Sequence, residues 1–397
     1  MSSDSEPSGS QSSDTKPSGS QSSDTKSSDA GPKDTSIPFN LHRGSVNPVT
    51  GLGTFHLEMP SSEVVSAAKP TNYPPILLEI KDDDQMESLL RMKKLQHENI
   101  LAVHFFQKDG AGGLRAFVEP YTGYVVELFA NVKFFVNEET GLVPSQRFQE
   151  IVSASLDGLD FIFKSDLYHG NFSWNTTAYH RDKVDGKVTL KLCNFEDRKD
   201  SSLLKCQIGD CHALAHDLEK VSRRVKDEYP GVKPEACCVL DDLACRLRAV
   251  NDMKSLSTMK QKNQDHVFFW DDTKKRTFCA YEMPAVWSTD AFWNNFRASP
   301  SAALDMPWNT EWEANSPLLL EEMEKYRVKN NIAPYNFDNR KDFLRLISGL
   351  YTHQIELKLQ LPHISVDVVV HLRHPRLLLD LKAAAEVDAV DVDNQNQ

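Results

Sequence analysis

The stretch that most constrains this chain is Leu167–Arg198, LYHGNFSWNTTAYHRDKVDGKVTLKLCNFEDR. A polar loop, His169 to Thr177, leads to a charged turn at Asp185-Gly186. The run Lys187-Val188-Thr189-Leu190-Lys191-Leu192-Cys193 then alternates with the period of two of a half-buried strand. By residue type alone, this is a strand-and-loop hairpin. Helical patterns flank it. Phe148–Phe163 carries an apolar stripe of Ile151, Val152, Leu156, Leu159 and Ile162, and Asp84–Leu95 places Met86, Leu89, Leu90 and Met92 on one face. Strand-like pieces at Gly53–Glu58, Ile76–Ile80 and Ala116–Tyr121 precede the hairpin, and Val239–Leu247 reads as a later helix.

Composition narrows the function classes. The chain has 397 residues, enough for two or three domains, and a formal net charge of −12. That balance gives no support to non-specific nucleic-acid binding by charge, so any RNA contact needs a local site, and no DNA partner is expected. The seven cysteines follow no CxxC or Cys/His spacing. They are expected as reduced, mostly buried thiols, with no metal site. No apolar leader and no membrane-length apolar run occur, so a soluble cytoplasmic or nuclear protein without membrane contact is expected. PSGSQSSDTK occurs at Pro7–Lys16 and again at Pro17–Lys26, so residues 1–36 are expected as a disordered low-complexity tail. Residues 383–397 are expected as a short disordered acidic tail.

The order His169-Gly170-Asn171, polar loop, hairpin, Asn194-Phe195-Glu196 resembles the catalytic core of a protein kinase, where the patterns are H-R-D-x-x-x-x-N and D-F-G. Both positions that should be Asp are Asn. An amide cannot take the hydroxyl proton as a carboxylate does, and it is a poor Mg²⁺ ligand. The metal-ligand Asn of the kinase loop falls on Thr176, with Asn175 one residue short. His97-Glu98-Asn99-Ile100 resembles the exit from the kinase αC helix, which puts Glu87 at the αC glutamate. Lys69 and Lys81 are both candidates for its lysine partner. Gly44, Gly51 and Gly53 lack the glycine-rich-loop order. The link from Glu196 to Asp210 is short and polar, without an activation segment, and Asp210 resembles the aspartate that braces the catalytic loop from beneath.

Beyond it, Phe268-Phe269-Trp270 with Lys275-Arg276 and Phe278 resembles the kinase–nuclease junction of the kinase–endoribonuclease family: the inositol-requiring kinase/endoribonucleases of the unfolded protein response and the 2-5A-dependent ribonuclease, RNase L. The segments Pro334-Tyr335, Asp342–His353 and Arg373-His374-Pro375-Arg376-Leu377-Leu378 continue the resemblance, which covers about residues 40–382. It implies an α+β bilobal protein-kinase-like domain over residues 37–270, followed by an all-α kinase-extension nuclease (KEN) domain over 271–382. Family nucleases cut RNA without metal, and Tyr335 and His353 match the catalytic Tyr and His. The family's Arg-Asn pair falls on Ser348 and Gly349, which offer neither cation nor amide. Gly349 should also weaken its helix by roughly 1 kcal/mol relative to Ala.

The expected function is therefore that of a degenerate pseudokinase/KEN protein acting as a scaffold or modulator. The expected assembly is a homo-dimer or a hetero-dimer with a related kinase–endoribonuclease. The alternative is an active metal-independent RNA endonuclease with a pseudokinase dimerisation module, in which nearby Lys and Arg side chains replace the lost pair. No cofactor is required, and ATP or ADP is the ligand a retained cleft would take. No membrane span, luminal sensor or ankyrin-type repeat accompanies these modules.

Overall fold

The structure, a computed structural model, describes residues 40–46, 53–58, 75–108, 113–129, 144–198, 201–228, 237–303 and 307–395. The tail at 1–36, Lys69 and Gly51 lie outside the described residues. The architecture is α+β, with small antiparallel sheets on the N-terminal side and helices thereafter.

The strands β1 (Asn40–Val46) and β2 (Gly53–Glu58) pair with each other. A second sheet has the order β3-β5-β4, from β3 (Ile76–Ile80), β4 (Val103–Lys108) and β5 (Leu114–Val118). Helix α1 (Asp83–Lys93) packs on this sheet. Its Asp82 cap accepts from the Gln85 amide, acids fill its first turn, basic residues fill its last, and Leu89 and Met92 are buried.

The short β6 (Gly123–Tyr124) and α2 (Val125–Leu128) follow. Helix α3 (Gln146–Lys164) starts at Ser145, whose hydroxyl accepts from Phe148 N–H. Its expected stripe is its buried face. The expected hairpin is β7 (Ala178–Arg181) paired with β8 (Val188–Lys191), in register from Ala178↔Lys191 to Arg181↔Val188. Gly186 takes the positive φ, 70°, that the turn requires.

Helix α4 (Leu203–Glu228) begins soon after the hairpin, so Asp210 sits about two turns inside a long helix with a buried face. Helices α5 (Cys238–Arg248), α6 (Met253–Ser257) and α7 (Met259–Gln264) complete this half. The second half is helical: α8 (Asp272–Thr277), a π-helical turn at Phe278–Glu282, α9 (Met283–Val286), α10 (Asp290–Arg297), α11 (Asn309–Asn315), α12 (Pro317–Lys329), α13 (Arg340–Thr352), α14 (Gln354–Gln360), α15 (Val366–Arg373) and α16 (Leu377–Gln395).

The two halves share one hydrophobic core. Polar contacts also bridge the boundary expected at 270/271. Lys382 reaches Asp265 at 2.6 Å, and Cys238 Sγ–H donates to the Pro375 carbonyl at 3.1 Å. The Lys274 and Lys382 ammonium groups lie 5.6 and 5.9 Å from the centre of the Trp270 ring. Lys275 and Asp367 form a buried ion pair at 2.6 Å, and Tyr351 donates its hydroxyl to the same carboxylate at 3.0 Å.

One expectation is corrected at the C-terminus. The acidic tail from residue 383 is not structureless: α16 runs on to Gln395. Its first turns bury Leu377, Leu379, Leu381 and Ala384, and the run Ala383-Ala384-Ala385 consists of the residue with the highest intrinsic helix propensity. Six of the seven cysteines are buried and all are free, with Cys245 exposed. Among the described residues, no helix is long and apolar enough to cross a membrane.

Candidate functional site

The polar loop is built on buried donors and acceptors. Asp210, fully buried on α4, accepts the backbone N–H of His169 at 2.7 Å and of Gly170 at 3.0 Å. Burial raises its carboxyl to about 7, against the downward pull of those two N–H groups and Arg198. His169 is also fully buried, its ring stacked on Phe195 at 4.5 Å and edge-on to Phe172 at 5.7 Å. Burial pushes the imidazole down to about 3, so it is neutral, and its Nδ1 accepts from the Asn171 N–H at 3.3 Å. A second aspartate of α4, Asp217, braces the loop further along: it accepts Trp174 N–H at 2.7 Å, while the Trp174 indole donates to Ser155 at 3.2 Å.

The residues at the expected chemical positions are held by this scaffold. Asn194 sits at φ 61°, and its Nδ2 donates to the Thr176 carbonyl at 3.1 Å. Thr176 in turn donates its hydroxyl to the Asn171 carbonyl at 2.9 Å and the Ser173 carbonyl at 3.0 Å. Asn175 is exposed. Asn171, Thr176 and Asn194 are thus knitted through backbone carbonyls, and none is a carboxylate. This donor set does not fit a divalent metal ion, which takes charged oxygen ligands.

Gly170 shows why no larger residue follows His169. Its φ is 80°, and a Cβ there would collide with the Glu196 backbone carbonyl. The close approach is fixed from both sides: Glu196 N–H donates to the His169 carbonyl at 2.9 Å, and Arg198 Nε donates to the Gly170 carbonyl at 2.6 Å.

Glu87 has a partner that sequence reading missed. Its carboxylate meets Arg91, one turn on in α1, at 3.2 Å. Arg91 also pairs with Asp197 at 2.9 Å and lies 5.3 Å above the Tyr168 ring. Tyr168 donates its hydroxyl to Asp197 at 2.5 Å and accepts the Arg198 N–H at 3.1 Å. The i,i+4 spacing of Glu87 and Arg91 was available as a signal, but nothing in the sequence marks Asp197 or Tyr168. Lys81, the described candidate partner, is exposed ahead of α1 and makes no ion pair among the described residues. Among the described residues the Glu87 carboxylate pairs with Arg91, and Lys69, the other candidate, lies outside them.

The second cluster lies on α12, α13 and the chain between them. Tyr335 is buried, edge-on to Trp308 at 5.9 Å, with the Arg327 guanidinium 4.1 Å from its ring. Burial raises its hydroxyl above the usual tyrosine range, against the opposing pull of Arg327. Arg327 Nε donates to the Ala333 carbonyl at 2.6 Å, which fixes the turn that delivers Tyr335.

His353 is the residue between α13 and α14. Its ring packs on Tyr326 at 4.1 Å and its Nδ1 lies 4.0 Å from Glu356. No hydrogen bond or ring contact joins Tyr335 to His353 among the described residues; both meet at Gly349. Its carbonyl accepts the His353 N–H at 2.9 Å, and a Cβ on it would lie 3.8 Å from the Tyr335 hydroxyl. That Cβ would also lie 2.5 Å from Met323 Cε, so the Met323 methyl takes the space that a side chain at 349 would need.

Ser348 is half-buried, and its carbonyl accepts the Thr352 hydroxyl at 2.8 Å. The nearby cations are committed elsewhere: Arg345 pairs with Asp342 at 2.7 Å and Arg327 caps the Ala333 turn. Chemically, the first cluster offers rigid, neutral hydrogen bonding. The second offers one buried phenol and one accessible imidazole without a cation between them. No protein-family model matches this chain, and no curated protein matches it.

Proposed function

We propose that this chain is a degenerate relative of the kinase–endoribonucleases, with a kinase-like half and a KEN-like half, acting as a scaffold or modulator through protein contacts. The observation that carries this reading is the way both clusters spend their polar groups. At the kinase-like positions, Asn194 and Thr176 are consumed by backbone carbonyls, and Glu87 is consumed by Arg91. Phosphoryl transfer needs a carboxylate near the hydroxyl and charged metal ligands, and neither residue type stands there. At the KEN-like positions, the cation beside Tyr335, Arg327, is tied to the Ala333 carbonyl, and Met323 fills the place beside Gly349. Stabilising the charge on the phosphate usually contributes more to such cleavage than any other single effect, so its loss weighs more than the retained imidazole.

In this reading, Asp210 and Asp217 keep a kinase-like loop in shape although its chemistry is gone. The partner is a second copy or an active kinase–endoribonuclease. No cofactor is needed for such a role, and ATP or ADP would act only as a ligand of the cleft. The test is titration of the purified chain into an active kinase–endoribonuclease while cleavage of a labelled stem-loop RNA is followed. The expected result is a saturable change in the partner's rate. A rate independent of added chain, with no association by sedimentation, would overturn the reading.

A further inference from the structure

Helix α1 meets α3 and the hairpin through its C-terminal end. His97, just beyond the helix, stacks on Phe161 of α3 at 4.7 Å. Leu192, just after β8, holds the same segment by its backbone: its N–H donates to the Asn99 carbonyl at 2.7 Å, and its carbonyl accepts the Leu101 N–H at 3.0 Å. Arg91, on the helix itself, reaches further. It spans to the link between β8 and α4, where it pairs with Asp197 at 2.9 Å and donates to the Glu196 carbonyl at 3.4 Å.

That link is also held by the loop around His169. Phe195 stacks on the His169 ring, and Glu196 N–H donates to the His169 carbonyl at 2.9 Å. Tyr168 donates its hydroxyl to Asp197 at 2.5 Å, which orients the carboxylate toward Arg91. The Arg91 side chain is only 17 % exposed, against 45 % for Glu87, so the pair with Asp197 is the less screened of its two ion pairs. A guanidinium can serve a carboxylate, a carbonyl and an aromatic face together, because its donors form a flat, rigid fork. All of these partners belong to the chain, so the contacts that hold α1 require no bound group.

We propose that Arg91 and Asp197 form a clamp that fixes α1 on the link 194–198 whether or not a nucleotide is bound, so that helix and link open and close as one unit. The inference stands on the geometry of α1 and is independent of the proposed function. Breaking the clamp frees both of its ends. The Asp210 brace of His169 and Gly170 is made from α4 and does not pass through Arg91, so it survives.

Hydrogen exchange followed by mass spectrometry on the full chain tests this with Arg91→Ala, Asp197→Asn and the double variant. Each single change should speed exchange about fivefold in peptides covering α1 and the link, and leave α13 unchanged. The double variant should exchange no faster than either single one, because both remove the same contact. Magnesium and ATP at millimolar concentration should leave α1 exchange in the parent unchanged. Asp197→Asn keeps the shape of the side chain and carries the test should Arg91→Ala not fold. Parent-like α1 exchange in either single variant overturns the proposal, as does a multiplied effect in the double variant. Acceleration that extends equally to α13, or slower α1 exchange with ATP, overturns it as well.

Discussion

The loop around His169 and the helix pair around Gly349 both lack the residue types that the proposed kinase–endoribonuclease kinship implies, and they differ in what stands there instead. At the first, polar residues stand in for other polar residues, and each is tied to a backbone partner: Asn194 to Thr176, Thr176 to Asn171, Asp210 to His169 and Gly170. At the second, a small residue leaves space, and the flexible Met323 fills it. The first region is over-determined by hydrogen bonds, the second is only packed. A buried hydrogen-bonded network tolerates loss of a member poorly, while a methionine end can yield.

The largest effects should come from the first region. Asp210→Ala strands two buried N–H groups and should cost about 3 kcal/mol in denaturant unfolding, with Asp210→Asn costing less because one acceptor survives. Gly170→Ala should cost at least as much, since its clash is with backbone and its φ is positive. Near-wild-type stability for either would erase the contrast between the regions.

The pH dependence sharpens it. Asp210 is raised to about 7, so the folded state holds its proton where the unfolded chain has lost it, and stability falls as pH rises from about 4 to 7. His169 is lowered to about 3, so stability rises with pH from about 3 to 6.5. Between about pH 4 and 6.5 the two slopes oppose each other. His169→Phe should unmask the Asp210 slope, a decline relative to the parent of roughly 1.4 kcal/mol per pH unit in that window. Parallel curves for the two proteins would show that the histidine titrates normally.

Arg91→Ala should cost roughly 1 kcal/mol by releasing Asp197, and Glu87→Ala clearly less, because Glu87 is more exposed. The smallest effect belongs to the second region. At an open helix position, Gly349→Ala would gain roughly 1 kcal/mol from propensity. Here the shift of Met323 should offset most of that gain, leaving a change within about 0.5 kcal/mol. A full gain would mean that Met323 yields without cost.

Much of this was legible because it was local. The stripe of α3, the alternation of β8, the face of α1 and the Asp185-Gly186 turn all follow from periodicity and turn chemistry. The Asp210 brace was anticipated by resemblance, and its two hydrogen bonds give that placement a geometric content. What could not be read depended on distant residues. The Glu87 carboxylate had an eligible partner within its own helix, yet the pull of Asp197 and Tyr168 on Arg91 comes from residues far along the chain, beyond the reach of any local pattern. The Met323 methyl beside Gly349 and the Arg327 guanidinium against Tyr335 likewise arise from helix packing, and composition at the tail concealed that α16 extends a buried face.

The central claim is that the Tyr335–His353 cluster lacks what RNA cleavage requires. Its most direct test is metal-free incubation of a labelled stem-loop RNA with the purified chain across a concentration series, beside a His353→Ala variant. The account expects no cleavage above that of the variant at any concentration. Cleavage that rises with protein concentration and disappears in His353→Ala would contradict it and identify the chain as a working nuclease.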